Sequence, residues 1–222
     1  MTILTIFLGI IVALLVLLGI SYYLNKKSVS GLMDLKETID SITTDKISKP
    51  GSSDYYYAVW VYVNTWDLSP KTLFSYGNQS LTLGTSTQDM SFNYNCTSTP
   101  ADVSSCIVTS TFPIQKWTHT AISKIGSVLD FYLDGKLIKS YQCPRSITNP
   151  SATRSIDFGD ANKHDIYLAK FQRNPTALDP RSAWMLYLSG PGTGVPMSSN
   201  YNYNLSMSVI KDDVVQKTYK IY

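Results

Sequence analysis

Glutamate is almost missing from the sequence: Glu37 is the only one among 222 residues. Enzymes that hydrolyse glycosidic bonds commonly hold two carboxylic acids together, one as nucleophile or base and the other as acid. Among the aspartates, Asp130 and Asp134 lie on one face of a predicted strand. Because Asp134 also belongs to an Asp-Gly turn, we interpret both as solvated hairpin carboxylates and expect no catalytic pair.

Histidine and cysteine are also scarce, with two of the first and three of the second. His119 and His164 are too isolated to indicate a metal site, and no local motif pairs a cysteine with a histidine. An oxygen-rich loop is formed by Asp157, Asp160, Asn162 and Asp165. Its spacing matches no EF-hand, so an ordinary polar turn is favoured over a calcium site. The sequence therefore predicts no catalytic residue, no metal and no cofactor.

A strong net charge is missing as well. The formal charge at pH 7 is +3, which is too small to indicate nucleic acid or another polyanion as a partner. No internal repeat or long low-complexity tract is present. A chain of this length, less an N-terminal segment, is expected to form one domain of ordinary size.

One long apolar run is present near the N-terminus. Residues 3–20 carry no charge, Tyr22 and Tyr23 follow them, and two lysines come next. About 20 apolar residues span a bilayer, and tyrosine is enriched at its interface. A cleaved signal peptide would need a basic start and a small-residue cleavage site, which this sequence lacks. We therefore predict an uncleaved transmembrane helix within residues 1–27.

Charge placement predicts the orientation of this helix. No lysine or arginine precedes the run, and three lysines follow it: Lys26, Lys27 and Lys36. The positive-inside rule then places the following domain on the cytoplasmic side. A disulfide between Cys96 and Cys106 would instead suit an extracellular or lumenal domain. Three sequons would suit that side too, at Asn78, Asn95 and Asn204. Such triplets arise by chance in a chain rich in Asn, Ser and Thr, so we expect reduced thiols and the cytoplasmic side.

Residues 28–53 are predicted to connect this segment to the globular domain. The apolar residues with 3-4-3 spacing, which places them on one stripe of a helix, are Leu32, Leu35, Ile39 and Ile42. Two heptads are too few to establish a coiled-coil stalk, so we favour an amphipathic helix lying on the domain or on the membrane surface. The sequence KPGSS at 49–53 then ends the helix, and the globular domain is expected at 54–222.

An antiparallel meander is predicted between Trp117 and Tyr141. Three runs rich in β-branched and aromatic residues occur there, at 117–122, 128–133 and 136–141. The second run alternates apolar and polar residues, so one of its faces can cover a core. Asp134-Gly135 supplies the positive φ angles of a type I′ turn between the last two runs.

Further strands are predicted on both sides of the meander. Residues 55–63 are apolar on both alternating faces, as in a strand buried in a two-sheet stack. Shorter strands are predicted at 72–76, 80–83, 90–95, 106–109, 205–210 and 214–221. Asp179 and Pro180 suit the N-cap and first position of a short helix, and Gly190 suits the position after its end. The sequence thus predicts an all-β sandwich with one short helix.

Three segments resemble the laminin-G-like branch of the concanavalin A-like lectin/glucanase superfamily. Residues 58–63 resemble its early strand, the meander resembles its strands ending in Tyr-x-Asp-Gly, and 166–190 resemble its closing strand, turn and helix. They occur in the family order and cover about residues 54–190, with extra C-terminal strands at 201–222 beyond them. His164-Asp165 stands where the family often has glycine, and Arg181-Ser182-Ala183 where an acid is usual, so no family loop site is carried over. The resemblance implies a jelly-roll β-sandwich.

The resemblance also implies binding of carbohydrate or protein along a concave face or rim. Four aromatic residues are candidates for facing a ligand: Trp66, Tyr76, Tyr94 and Tyr141. A membrane anchor joined to a non-catalytic sandwich is similar to membrane-associated minor capsid proteins in virions of large DNA viruses. We expect a non-enzymatic structural or interaction protein that docks on a protein layer beside a membrane. The alternatives are an extracellular carbohydrate-binding, lectin-like receptor and an unusual glycosidase.

Overall fold

The computed structural model describes residues 11, 13–17, 28–29, 33–35, 41–96, 103–192, 206–211 and 214–220. The chain divides into two units, Met1–Gly192 and Thr193–Tyr222. The first unit holds two antiparallel sheets and an α-helix, α1 (Pro180–Leu188). The second holds a hairpin of β14 (Ser206–Lys211) and β15 (Val214–Lys220). The prediction of an antiparallel two-sheet sandwich with one short helix is confirmed.

Among the described residues, the larger sheet, sheet A, has seven strands. Its order is β1 (Ser28–Val29), β13 (Ile166–Asn174), β4 (Tyr55–Val63), β9 (Thr118–Ile125), β10 (Val128–Leu133) and β11 (Lys136–Gln142), and β2 (Met33–Asp34) also pairs with β13. The smaller sheet, sheet B, has six strands within the same described ranges. Its order is β3 (Ser41–Ile42), β12 (Ile156–Phe158), β5 (Lys71–Tyr76), β6 (Gln79–Leu83), β7 (Met90–Asn95) and β8 (Val103–Thr109). A short 3₁₀ helix occupies Thr44–Lys46.

Strand β4 shows why this sequence forms three layers rather than two. All nine of its residues are buried. Tyr57 and Val59 pack in the main core between the sheets, whereas Tyr56 and Ala58 pack in a second cluster that includes Ala183 of α1. A strand that is covered on both faces needs apolar residues at every position. The apolar character of both faces therefore reflects a sheet on one side and a helix on the other.

The predicted meander and its tight turn are confirmed. Strands β9, β10 and β11 pair in sequence as antiparallel neighbours. Asp134 has φ 46° and Gly135 has φ 75°, so both central residues of the turn have the positive φ that type I′ requires. The helix ends are confirmed too, since the Asp179 side chain accepts a hydrogen bond from Ser182 N and Gly190 has φ 62°.

The predicted connector helix is wrong at the residues that the structure describes. Residues 28–29, 33–34 and 41–42 are short strands that pair with β13 and β12. Leu35 and Ile42 lie in the core, as they would on a buried helical stripe, but Met33 and Leu35 alternate as in a strand. Pairing with sheet edges supplies main-chain partners that a lone short helix would not gain. Leu32 and Ile39 lie outside the described residues.

The predicted domain boundary at residues 49–53 is likewise part of the sandwich. Arg173 is fully buried. Its guanidinium donates to Ser48 O (2.7 Å), Pro50 O (3.2 Å) and Ser52 Oγ (3.1 Å). The same group lies 5.3 Å from the Tyr55 ring. These contacts satisfy a buried cation and hold the segment against the sheets.

The predicted transmembrane helix falls mostly outside the described residues. Residues 11 and 13–17 are helical and exposed. Among the residues that the structure describes, none belongs to a helix long and apolar enough to cross a bilayer. The anchor therefore stays a prediction.

The cysteines pair differently from the arrangement weighed above. Cys96 and Cys143 form a disulfide with a Cα–Cα distance of 5.9 Å, and Cys106 is free and buried. Cys106 lies opposite Phe92 in the ladder, so β-sheet register keeps it from Cys96. The bond joins the end of β7 in sheet B to the segment after β11 in sheet A. Disulfides are typical of oxidising compartments, which opposes the expectation of reduced thiols on the cytoplasmic side.

Candidate functional site

The two aspartates of the meander have structural partners. Asp134 accepts hydrogen bonds from His119 N (2.9 Å) and from Lys116 Nζ (2.9 Å). Asp130 accepts one from the Ser140 hydroxyl on β11. Asp134 is thus part of the turn, as predicted, and the pair does not form two free carboxylates facing one cleft.

His119 is buried on β9. Its exposed fraction is 1%, and its ring centroid lies 5.2 Å from Trp60 and 6.5 Å from Tyr187 of α1. Burial lowers the pKa of His119 to about 4, although the Asp134 carboxylate acts in the opposite direction. The imidazole is therefore neutral near pH 7, and it serves as part of the packing between sheet A and α1.

A cluster of titratable side chains around buried His164 was missed by sequence reasoning. His164 is 1% exposed, and its two ring nitrogens lie 3.0 Å from Asp67 Oδ2 and 3.2 Å from Asp160 Oδ1. Lys71 is fully buried beside them, with Nζ 3.3 Å from Asp67 Oδ1. Burial raises the pKa of Asp67, but hydrogen bonds from Ser69 and His164 outweigh it and hold that pKa well below its usual range. Asp67 and His164 are 97 residues apart, so no local motif could have predicted their contact.

The oxygen-rich loop is held by hydrogen bonds within the fold. Asp160 Oδ2 accepts from Thr72 N (2.9 Å), and Asp165 Oδ2 accepts from Asn64 Nδ2 (2.7 Å). Asp157 accepts from Ser155 Oγ (2.8 Å). Within the described ranges, no group of three or more His, Cys, Asp or Glu is arranged to hold a metal.

The four candidate aromatic residues fall into two pairs. Tyr76 and Tyr94 are 0% and 1% exposed, so the prediction that they face a ligand is wrong. Both point from sheet B into the core, because tyrosine tolerates burial where its ring packs against other rings or a cation. Trp66 and Tyr141 are half-buried and pack against the same core. The Trp66 indole donates to Thr85 O (2.9 Å) and carries Lys71 Nζ 4.5 Å from its ring; a ligand-facing role for these two stays a prediction.

Exposed apolar side chains on β11 and α1 form a surface that sequence reasoning also missed. We call it the β11 surface, and its members are Leu137 (50% exposed), Trp184 (40%), Met185 (59%) and Leu188 (59%). Leu137 lies on β11 and the others lie on α1, which contacts β11. The signal in the sequence was Trp184 and Leu188, four residues apart on a helical face that differs from that of buried Ala183.

The turn between β10 and β11 fixes the helix beside this strand. A Cβ atom added to Gly135 would lie 2.9 Å from both Trp184 Cε3 and Tyr187 Cβ. The turn thus passes directly beneath α1, and only glycine leaves room for it. This close approach holds the exposed faces of α1 and β11 next to each other.

Known proteins resemble this chain mainly through its fold. A family model described as the concanavalin A-like lectin/glucanases superfamily matches residues 36–170, more than half of the chain. No curated protein matches at a significant level.

Solved structures similar to the chain include binding domains of botulinum neurotoxins. The binding domain of neurotoxin DC in complex with rat synaptotagmin II has 15% identity and a TM-score of 0.54, covering 68% of this chain and 39% of that one. A neurotoxin type C structure, described as dependent on two ganglioside molecules for cell entry, has 15% identity, a TM-score of 0.53 and the same coverage. The serotype D binding domain has 13% identity, a TM-score of 0.50 and coverage of 62% and 37%. The match spans about two fifths of those chains.

Proposed function

Because the chain belongs to the concanavalin A-like lectin/glucanases superfamily, we propose that its sandwich is a non-catalytic module that binds another protein. The observation that carries the proposal is the β11 surface. Four large apolar side chains are exposed there on two adjacent elements. Contiguous apolar patches on soluble domains commonly mark interaction sites, and Trp, Met and Leu fill the centres of protein interfaces well.

The engagement of the polar groups supports a role without catalysis. Asp134 and Asp160 accept main-chain hydrogen bonds, and His119 is buried and neutral near pH 7. A general base needs a free lone pair that can reach a substrate. The acids that a glycosidase would need are thus used to hold loops and turns in place.

Carbohydrate binding is the second candidate function. The type C neurotoxin that shares this fold depends on gangliosides, and Trp184 offers an exposed ring that a sugar could stack on. Aliphatic side chains make up most of the β11 surface, however, and they supply no hydrogen bonds to sugar hydroxyls. The composition of the surface therefore favours a protein partner.

In its most specific form, the proposal is a single-pass membrane protein. Residues 1–27 would anchor the chain, and the sandwich on the cytoplasmic side would dock on an overlying protein layer, such as the capsid of a virion with an internal membrane. The uncharged run at residues 3–20 and the lysines after it support this form. Many anchored copies facing an ordered layer would bind multivalently, so each contact can be weak.

The test uses the full chain in detergent micelles. We expect no polysaccharide hydrolysis, no selective glycan binding, and association with a purified candidate shell protein. Leu188→Asp should abolish that association, because a charge would be placed in the centre of the interface. Leu68→Asp is the matched control, since Leu68 is 80% exposed and lies outside the β11 surface. Selective glycan binding without protein association would overturn the proposal in favour of a lectin.

A further inference from the structure

We propose that the outer edge of β11 binds an extended, acidic segment of the partner protein, which adds as a further strand to sheet A. This inference rests on the proposed function and specifies the chemistry of its partner. Peptides that add to a sheet edge gain affinity from main-chain hydrogen bonds and specificity from alternate side chains.

The main-chain groups of β11 are available for such pairing. Cys143 N donates to Ser127 O (2.8 Å), which makes these two residues a hydrogen-bonded pair. Hydrogen-bonded and non-hydrogen-bonded pairs alternate in an antiparallel ladder. Gln142 and Ser140, opposite Val128 and Asp130, therefore direct their N–H and C=O groups away from β10. In the portion of the chain described by the structure, no strand pairs with this side of β11.

The side chains beside this edge suit apolar residues in the added strand. Leu137 is paired with Tyr132, and cross-strand partners lie on the same face of a sheet. Tyr132 packs in the cluster that contains Ala183 of α1, so Leu137 also faces the helix side. Alternate residues of an added strand would thus meet Leu137 and the exposed apolar side chains of α1.

The charges on this edge select an acidic occupant. Lys136, Lys139 and Arg145 lie on or just beyond β11, and all three are exposed. Lys139 Nζ donates to Ile107 O of β8 (2.8 Å), so Lys136 and Arg145 carry the charge argument. Asp130 on the neighbouring strand is half-buried and accepts a hydrogen bond from Ser140. Lysines on an edge strand hinder pairing between copies of one protein, because both copies carry the same charge. They favour a strand that carries Asp or Glu.

The position of β11 in sheet A also favours a partner at this edge. Sheet A begins at β1, where residues 28–29 follow the predicted membrane anchor, and ends at β11. Five strand-to-strand steps separate the two edges, which corresponds to about 24 Å at a spacing of about 4.8 Å. The free edge is thus the one farthest from the anchored edge, where an overlying protein layer would meet it.

The experiment follows main-chain amides of the full chain in detergent micelles by NMR. The probe is the capped peptide Val-Glu-Val-Glu-Val-Glu-Val, and the control probe has lysine in place of each glutamate. We expect the acidic peptide to bind at least about tenfold more tightly than the basic one. It should also slow hydrogen exchange at the amides of Ser140 and Gln142, which point outward.

Two matched variants separate main-chain pairing from side-chain effects. Ser140→Pro removes the outward N–H, which an edge strand tolerates structurally, and should abolish binding. Ser140→Ala loses the same hydroxyl contact with Asp130 but keeps the N–H, so it should bind within about twofold of the parent. If Ser140→Pro does not fold, the double variant Lys136→Glu, Lys139→Glu should instead prefer the basic peptide.

Each result that contradicts the strand addition has its own interpretation. Equal binding of both peptides, unchanged exchange at Ser140 and Gln142, or full binding by Ser140→Pro would overturn the inference. Light scattering that shows a dimer broken by Ser140→Pro, without peptide binding, would assign the edge to a second copy. Loss of shell-protein association in Leu188→Asp, without any peptide binding, would overturn the strand addition and leave the proposed function standing. Selective glycan binding without protein association would overturn the proposed function itself.

Discussion

Gly135 is expected to be the most sensitive position of the meander, because two independent constraints meet there. Its φ of 75° lies in the left-handed region, and its α-hydrogen faces α1. A methyl group at this position would lie 2.9 Å from Trp184 Cε3 and 2.9 Å from Tyr187 Cβ. Real Cβ atoms do not approach others so closely, so Gly135→Ala must displace the helix or open the turn.

The size of the effect can be worked out from its two parts. The left-handed backbone costs alanine about 1 kcal/mol relative to glycine. Overpacking against the Trp184 ring and the helix backbone costs about 1–3 kcal/mol, because neither neighbour is the flexible end of a side chain. Gly135→Ala should therefore lower the free energy of unfolding by about 2–4 kcal/mol, less about 0.5 kcal/mol from the stiffer unfolded chain.

Gly126 provides the matched control in the same meander. It lies in the turn between β9 and β10 with φ 56°, and an added Cβ would meet nothing within 4 Å. Gly126→Ala should therefore show only the backbone cost of about 1 kcal/mol. Urea unfolding of both variants, followed by tryptophan fluorescence, measures the difference. Equal losses in the two variants would refute the close approach of α1, and an unchanged Gly135→Ala would refute the turn geometry as well.

Three further predictions test other parts of the structure. Burial holds the pKa of His119 at about 4 against 6.5 when unfolded, so its stabilising contribution is complete above pH 6.5 and is lost as pH falls through 4. The loss is about 3 kcal/mol, and it should disappear from a urea-unfolding pH series of His119→Phe. Arg173→Met should leave the carbonyl groups of residues 48–50 unpaired, which lowers the free energy of unfolding by about 3 kcal/mol and speeds hydrogen exchange across 48–52. Faster exchange confined to other segments would contradict the role of Arg173 in holding residues 48–52. From the lysine distribution we expect Asn78, in the β5–β6 turn, to stay unmodified in sealed microsomes; a glycan there, or a Cys96–Cys143 bond formed in cells, would place the sandwich on the opposite side.

The sequence predicted best those features that depend on neighbours along the chain. The alternation of β10, the Asp134-Gly135 turn and the caps of α1 are each set by a few consecutive residues, and all are confirmed. Local rules work here because the turn and the caps satisfy their own main-chain groups. The same rules could not show that α1 lies on the turn, since that contact joins residues about fifty positions apart.

The failures share a different physical cause. Leu35 and Ile42 are buried whether residues 28–53 form a helix or strands, so apolar spacing alone could not separate the two. The deciding partner of β1 and β2 is β13, which follows more than 130 residues later. The Asp67–His164 contact and the Cys96–Cys143 bond also join residues that are far apart in the sequence, so local patterns could not predict them. Tyr76 and Tyr94 were misplaced because tyrosine suits both a surface and a core that offers ring contacts.

The strands in residues 28–42 change what the proposed anchor would do. As a helix, the 26-residue connector at positions 28–53 would have let the sandwich stand about 40 Å from the bilayer, at 1.5 Å per residue. With residues 28–29 already paired to β13, the chain between position 24 and β1 reaches at most about 14 Å when fully extended. An anchor at residues 3–24 would therefore keep the β1 edge of sheet A close to the membrane surface. The width of the sheet, about 24 Å from β1 to β11, would then set the distance to any partner on the free edge. A sandwich anchored in this way would act as a spacer of fixed width rather than as a flexible tether, and its partner layer would have to come within about 4 nm of the bilayer.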